Sequence, residues 1–386
     1  MLAPVNHPSS KVRKIALTTD AVGGVWTYTL DLAKALAASG IEVELIVLGP
    51  APALHQQHDV AAVPGIRLSM FDLPLDWTVA NPSELKDASA ALFALMRTLG
   101  VDLIHLNSPG LAIAATDDVP LVLGLHSCVT SWWQAVRPGE PMPADLSWRH
   151  GFVSRALSSA DAVIVPSRSF GDTARRIYGE SIRILPIHNG RRSTGIRHSA
   201  EDKNTSLVLT AGRLWDEAKG AATLDAAAGL MSRPIHAAGQ LADPMTGATS
   251  AQFDNLKTLG TLPAQEMRSW LERAGIFVSA ARYEPFGLGV LEAAQAGSAL
   301  VLSDIDTFRE LWNDAAIFAA PGDPAAFADA IETLIAQPQR QTELGARARR
   351  RAEAYTIDRM VAETSALYAE LVAHHVPRSI LSGATA

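Results

Sequence analysis

Short apolar runs separated by amphipathic stretches recur along the chain, and this alternation predicts strands joined by helices. The first run, Lys14 to Thr18, leads through Gly23-Gly24 into a helix from Val25 to Ala38. On that helix Val25, Thr29, Leu32 and Leu36 fall at helical spacing, and Gly40 follows as a stop. Glu42 to Leu48 predicts the next strand. Asn81-Pro82-Ser83-Glu84 combines a cap, a proline at the first helical position and an acid two residues on, so a helix is expected from there to near Gly100. Val101 to Leu106, Pro120 to Leu125 and Asp161 to Val165 are further short apolar strands. Polar and turn residues then gather from His188 to Thr205 (HNGRRSTGIRHSAEDKNT). Alternation resumes with a strand at Leu207 to Ala211, a helix at Ala221 to Met231, and strands at Pro234 to Ala238, Gly275 to Ser279 and Ala299 to Ser303.

Strands separated by helices imply parallel sheets with right-handed crossovers. Two such series predict an α/β protein of two Rossmann-like, doubly wound domains, with ligand between the carboxyl ends of their strands. The expected division is 1–187 for the first domain, 188–205 for the linker, 206–355 for the second domain and 356–386 for a closing segment with a helix at Thr356 to Val372.

The composition fits that picture: 386 residues, 48% hydrophobic and 19% charged, are enough for sizeable cores. A net charge of −7 argues against a dedicated nucleic-acid binder, which needs many cations for phosphates. Cys128 is the sole cysteine, so no intrachain disulfide can form, which fits a reducing compartment. The opening MLAPVNHPSSKVRK lacks the apolar stretch of a secretion signal, and no run of ~18 apolar residues spans a bilayer, so a cytoplasmic protein is expected. Peripheral contact with the inner face of a membrane stays open. The basic run Arg347 to Arg351 could serve it, or could simply be a solvated helix face.

Three stretches carry chemistry. Tyr283-Glu284-Pro285-Phe286-Gly287-Leu288-Gly289-Val290-Leu291-Glu292 follows a strand, turns, and enters a helix, with seven residues between its two acids. Glu284 is expected in the loop and Glu292 on the first helical turns, beside N–H groups suited to phosphate. Gly212-Arg213-Leu214-Trp215-Asp216-Glu217-Ala218-Lys219-Gly220 also follows a strand, with Arg213 and Lys219 set to converge on one anion. A departing nucleoside diphosphate concentrates charge on phosphate oxygens, and fixed cations stabilise it there. Asp20-Ala21-Val22-Gly23-Gly24 is a third strand-to-helix turn, where paired glycines admit a phosphate.

These motifs resemble family 4 glycosyltransferases of GT-B fold, the group 1 glycosyl transferases, over nearly the whole chain. The resemblance implies retained anomeric configuration, no essential metal, no cofactor beyond a nucleotide-sugar co-substrate (UDP-sugar favoured), and a sugar, lipid-linked or small-molecule acceptor. It assigns the donor sugar to Glu284, the ribose to Glu292, the diphosphate to Arg213 and Lys219, and the reaction centre to His126 in LGLHS. Gly23, Gly24, Phe286, Gly287 and Leu288 join the donor site, and the loop Asp306-Thr307-Phe308-Arg309-Glu310 helps to hold it. The front domain becomes the acceptor side, the back domain the donor side, and the last helix crosses back to the front domain. Trp132 and Trp133, in an expected loop, and Asn107 are the acceptor candidates; the tryptophans could stack on a sugar or pack a hinge. Asp304-Ile305-Asp306 has the form of a metal-binding motif, but its place after a second-domain strand argues for a donor-loop segment. His55 and His58 are read as loop residues. Three other classes compete. A nucleotide-sugar 2-epimerase of the same fold is opposed by EPFGLGVLE. A silent sugar-nucleotide-binding subunit is opposed by the intact charged set. A nicotinamide-dependent oxidoreductase would need G-x-G-x-x-G after the first strand, and Val22-Gly23-Gly24-Val25-Trp26 does not supply it.

Overall fold

The computed structural model describes residues 11–21, 23–192, 203–243, 247 and 252–376, and in it the alternation of the sequence becomes two parallel sheets. The first contains β1 (Lys14–Asp20), β2 (Glu42–Leu48), β3 (Ile66–Phe71), β4 (Leu103–Leu106), β5 (Leu121–Gly124), β6 (Ala162–Val165) and β7 (Ile184–Pro186), ordered β3-β2-β1-β4-β5-β6-β7. The second contains β8 (Asn204–Ala211), β9 (Ile235–Ala238), β10 (Lys257–Gly260), β11 (Ala274–Ser279), β12 (Ala299–Ser303) and β13 (Ala316–Ala319), ordered β10-β9-β8-β11-β12-β13. In each sheet the winding reverses once, between β1 and β4 and between β8 and β11. Connections leave those points in opposite directions and open a crevice at the carboxyl ends.

Both faces of a parallel sheet must be covered. On the front sheet, Ile15, Leu17 and Leu45 pack under Leu32 and Leu36 of the helix Gly24–Ala38 and under Met360, Leu367 and Tyr368 of the last helix, Ile357–His374. The opposite face carries Leu85, Leu92 and Phe93 of the helix Pro82–Met96. On the back sheet, Leu209 and Phe277 meet Leu291 and Phe308, while Val208 and Val278 meet Leu224 and Phe327. The chain passes between the two units twice, and the passages run side by side. Arg191 N donates to Tyr355 O at 3.2 Å, and a Cβ on Gly190 would lie 2.1 Å from Thr356 O.

Several local expectations need correction. The strand β8 begins at Asn204, inside the stretch read as linker; residues 188–192 form the tight crossing, and 193–202 lie outside the described residues. The helix begun by Asn81 stops at Met96, and the helix from Ala221 stops at Ala228. Trp132 and Trp133 lie on a helix, Val129–Val136, capped by Cys128, whose Sγ accepts from Ser131 N at 3.3 Å. The expected donor loop from Asp306 is also a helix, Asp306–Trp312, and residues 55 and 58 fall on the helix Leu54–Ala61. Arg347 and Arg350 are exposed on the helix Pro338–Ala352, but Arg351 is bonded to the carbonyls of Leu311 and Glu310. Among the described residues no helix is long and apolar enough to cross a membrane.

Candidate functional site

The two winding reversals face each other, and the motif residues gather between them. Arg213 leaves the carboxyl end of β8. The turn that follows closes at Gly220, whose φ of 67° and contact with the end of β11 only glycine allows: a Cβ would sit 2.1 Å from Ala280 O. Arg282 N donates to Ala218 O at 2.8 Å, fastening the two loops together. Lys219 Nζ therefore lies 2.7 Å from Glu284 Oε2. Asp216 is buried and accepts from Arg213 Nη2 at 2.9 Å and Ala218 N at 3.0 Å. Burial alone would raise its carboxyl pKa; Arg213 and Lys219 reverse that and hold it below the usual range. Each cation is thus matched by a carboxylate that an anionic ligand could displace.

Across the crevice, the position of a Cβ on Gly23 is 3.6 Å from Arg213 Nη1, and that on Gly24 is 3.5 Å from Leu288 Cδ1. Gly23 caps the helix Gly24–Ala38, and Gly287 caps the helix Leu288–Gln295. The two helix N-termini thus lie close to one another, with the Arg213 guanidinium beside the first, and the opening N–H groups of a helix suit an anion. Phe286 is buried and packs on Tyr355 (5.8 Å between centroids), so its role is to seat this turn. Glu292 occupies the second helical turn and does not stand alone: its Oε1 accepts from Arg191 Nε at 2.9 Å and Nη2 at 2.8 Å. The same guanidinium reaches Asp31 on the helix Gly24–Ala38.

In the front half, the strand ends β4 and β5 deliver Asn107 and His126. His126 Nε2 is 2.8 Å from Asn107 Oδ1, and the Tyr28 ring meets the imidazole edge-on at 4.5 Å. Burial pushes the His126 pKa down to about 4, so the ring is neutral at physiological pH. His126 opens on a cavity of about 290 Å³ that Arg213, Trp215 and Asp216 complete from the back half. Trp132 walls the cavity and donates from Nε1 to Asp216 Oδ1 at 3.0 Å. Trp133 does not line it; its Nε1 donates to Glu140 O at 2.9 Å. Asn107 lines it, but its amide is spent on protein groups, donating to Thr18 O at 2.7 Å and Thr29 Oγ1 at 3.1 Å. Glu284 opens instead on a neighbouring groove of about 600 Å³. The helix Val129–Val136 stands between the two hollows, and Tyr283 bridges to it, 2.7 Å from Ser131 Oγ.

Sequence reasoning missed several residues here. Asp76 and Trp77 reach the cavity from a loop without periodicity. Arg149 lines it from a helix, with its guanidinium on the carbonyls of Val79 and Asp145. Arg191 was hidden in the polar run read as linker. Trp215 lay within a recognised motif, and its position between Arg213 and Asp216 was the available signal.

Comparison with known proteins finds family matches over both halves of the chain. Residues 23–190 match the Glycosyl transferase 4-like domain, and residues 205–337 match Glycosyl transferases group 1. The chain is 27% identical over 354 residues to a glycogen synthase of Mycobacterium tuberculosis, covering 82% of this chain and 83% of the relative. It superimposes on sucrose-phosphate synthase from Thermosynechococcus elongatus with a TM-score of 0.79 at 21% identity, covering 94% of this chain and 99% of the other. The Anabaena protein HepE, solved in complex with UDP-glucose, gives a TM-score of 0.70 at 18% identity over 93% of this chain and 100% of the other.

Proposed function

Because the chain belongs to the group 1 glycosyltransferases and has their GT-B fold, we propose that it moves a hexosyl unit from a UDP-sugar to an acceptor hydroxyl with retention and without an essential metal. One observation carries this reading: Arg213 and Lys219 lie at the winding reversal of the back sheet, Arg213 facing the Gly23-Gly24 turn and Lys219 paired with Glu284. In this reading the two cations take the diphosphate and stabilise the charge that grows as the glycosidic bond breaks. They supply the compensation that a divalent ion provides elsewhere. Glu284 holds hydroxyls of the transferred sugar, and Glu292 the ribose. The acceptor hydroxyl attacks on the face that the diphosphate leaves, and a phosphate oxygen takes its proton, so no enzyme nucleophile is needed. The cavity beside His126, walled by Trp77, Trp132 and Trp215, receives the acceptor. HepE's UDP-glucose favours uridine as the base, and the proposal includes a cytoplasmic site of action.

This chain resembles both a glycogen synthase and a sucrose-phosphate synthase, and a fold does not select the acceptor, so experiment has to find it. Melting curves with UDP, ADP and GDP are the first step; UDP is expected to raise the melting temperature most. Incubation with UDP-hexoses and an acceptor panel, analysed by NMR, is expected to give an α-linked product from an α-linked donor, also in the presence of a chelator. A melting temperature unmoved by every nucleoside diphosphate would overturn the proposal. Interconversion of the donor sugar without any acceptor would mark an epimerase.

A further inference from the structure

We infer that Asn107 is a positioning residue for the transfer reaction: it locks His126 as the Nε2–H tautomer, so that Nδ1 presents a bare lone pair to a substrate hydroxyl. The inference rests on the glycosyltransferase reading for its substrate, but its geometry is independent of it.

The argument begins at Thr18. Its backbone oxygen can only accept, and it lies 2.7 Å from the Asn107 side chain, so the atom facing it must be the amide nitrogen. That nitrogen also donates to Thr29 Oγ1, and Asn107 N is fixed by Thr18 Oγ1 at 2.9 Å. The amide cannot flip without setting its oxygen against the Thr18 carbonyl. Oδ1 is therefore the atom 2.8 Å from His126 Nε2. An amide oxygen has no proton to give, so the hydrogen between them belongs to Nε2. The neutral ring carries one proton, which leaves Nδ1 without one. Among the described residues Nδ1 takes no hydrogen bond, while the ring lines the cavity.

The surroundings make the arrangement rigid. Around Gly124 there is no room for a side chain: a Cβ would be 2.1 Å from Asn107 Oδ1 and 3.0 Å from both His126 Nε2 and His105 Nε2. Tyr28 fixes the plane of the His126 ring from the side. The opposite tautomer would point two lone pairs at one another across 2.8 Å and turn an N–H into the cavity. The locked form lets His126 accept from a hydroxyl of donor or acceptor and orient that oxygen. No proton is transferred; the contribution is alignment.

Nitrogen NMR of histidine-labelled protein at neutral pH, assigned with His126→Gln, tests this. The expected spectrum has His126 protonated at Nε2 and unprotonated at Nδ1. Asn107→Ala is expected to average the two nitrogens toward tautomer exchange and to lower kcat roughly tenfold to a hundredfold. The UDP-induced melting shift is expected to persist. His126→Gln keeps a donor for Asn107 Oδ1 but offers no lone pair at the Nδ1 position, so it is expected to lose at least as much. A wild-type ring protonated at Nδ1 overturns the inference, as does an Asn107→Ala enzyme with averaged nitrogens and unchanged kcat. If Asn107→Ala does not fold, the wild-type spectrum and the His126→Gln rate decide. Failure of any nucleotide-sugar to turn over would sink the transferase reading, whereas the wrong tautomer sinks this one alone.

Discussion

Lys219 shows how the site is arranged before substrate arrives. Its ammonium sits 2.7 Å from Glu284, and both side chains are only about one-fifth exposed (20% and 19%). A lone charge so placed would be costly, and the pairing offsets that cost. Under the proposed function, a diphosphate, with more charge than one carboxylate, takes Lys219 while Glu284 turns to sugar hydroxyls. Lys219→Ala is accordingly expected to lower kcat by about 10²–10³, the loss typical of removing one stabilising group from developing charge. Circular dichroism is expected to report an intact fold, because Glu284 keeps access to water in the adjoining groove. A variant with wild-type kcat would remove Lys219 from the chemistry. These residues were legible in the sequence because they follow strands within short glycine-bounded motifs. Asp76 and Arg149 were not, since nothing local marks a residue that reaches the cavity only when distant segments meet.

At the scale of elements, the two halves are joined by caps as well as by loops. Glu310, on the helix Asp306–Trp312, caps the helix Arg168–Tyr178 of the other half, accepting from Arg168 N at 3.0 Å and Ser169 N at 2.7 Å. It also accepts from His188 Nε2 at 2.9 Å in the crossing segment. Burial pulls its carboxyl pKa upward, but His188 and the two amides prevail and hold it at about 2. The folded value lies below the ordinary one, so this stabilisation is complete above the ordinary pKa and fades as pH falls toward 2. The melting-temperature advantage of wild type over Glu310→Gln is expected to be constant above about pH 5 and to shrink steadily at lower pH. An advantage that grew on acidification would contradict the assignment. Element detection followed the same physics of burial. Among the described residues the nine strands anticipated from the sequence are the interior strands of the two sheets, and the four overlooked, β3, β7, β10 and β13, are the edges. An edge strand has a neighbour on one side only; IRLSMF and KTLG are diluted by polar residues and ILP is short, whereas AIFA is as apolar and as long as several interior strands and carries no such mark.

At the scale of the molecule, Arg191 ties the donor site to the geometry of the two halves. It lies where the chain crosses between them, fixed by its own N–H on Tyr355 O and by Gln295 Nε2 on its carbonyl. Its guanidinium spans from Asp31 in the front unit to Glu292 in the back unit. Both bonds to Glu292 fall on Oε1, so the carboxylate is oriented, and in the proposed reading Oε2 serves a ribose hydroxyl. The arrangement joins two tasks in one side chain: aiming an acid and setting the angle of the crevice. Arg191→Ala is therefore expected to act on binding more than on the chemical step, raising the donor KM about tenfold with a smaller change in kcat. Lysine at this position can reach one acid but cannot fork between two, so Arg191→Lys is expected to restore little of the affinity. Donor titrations of the two variants would check this. Should either bind UDP as tightly as wild type, Arg191 would be a hinge fastening without influence on the ribose subsite.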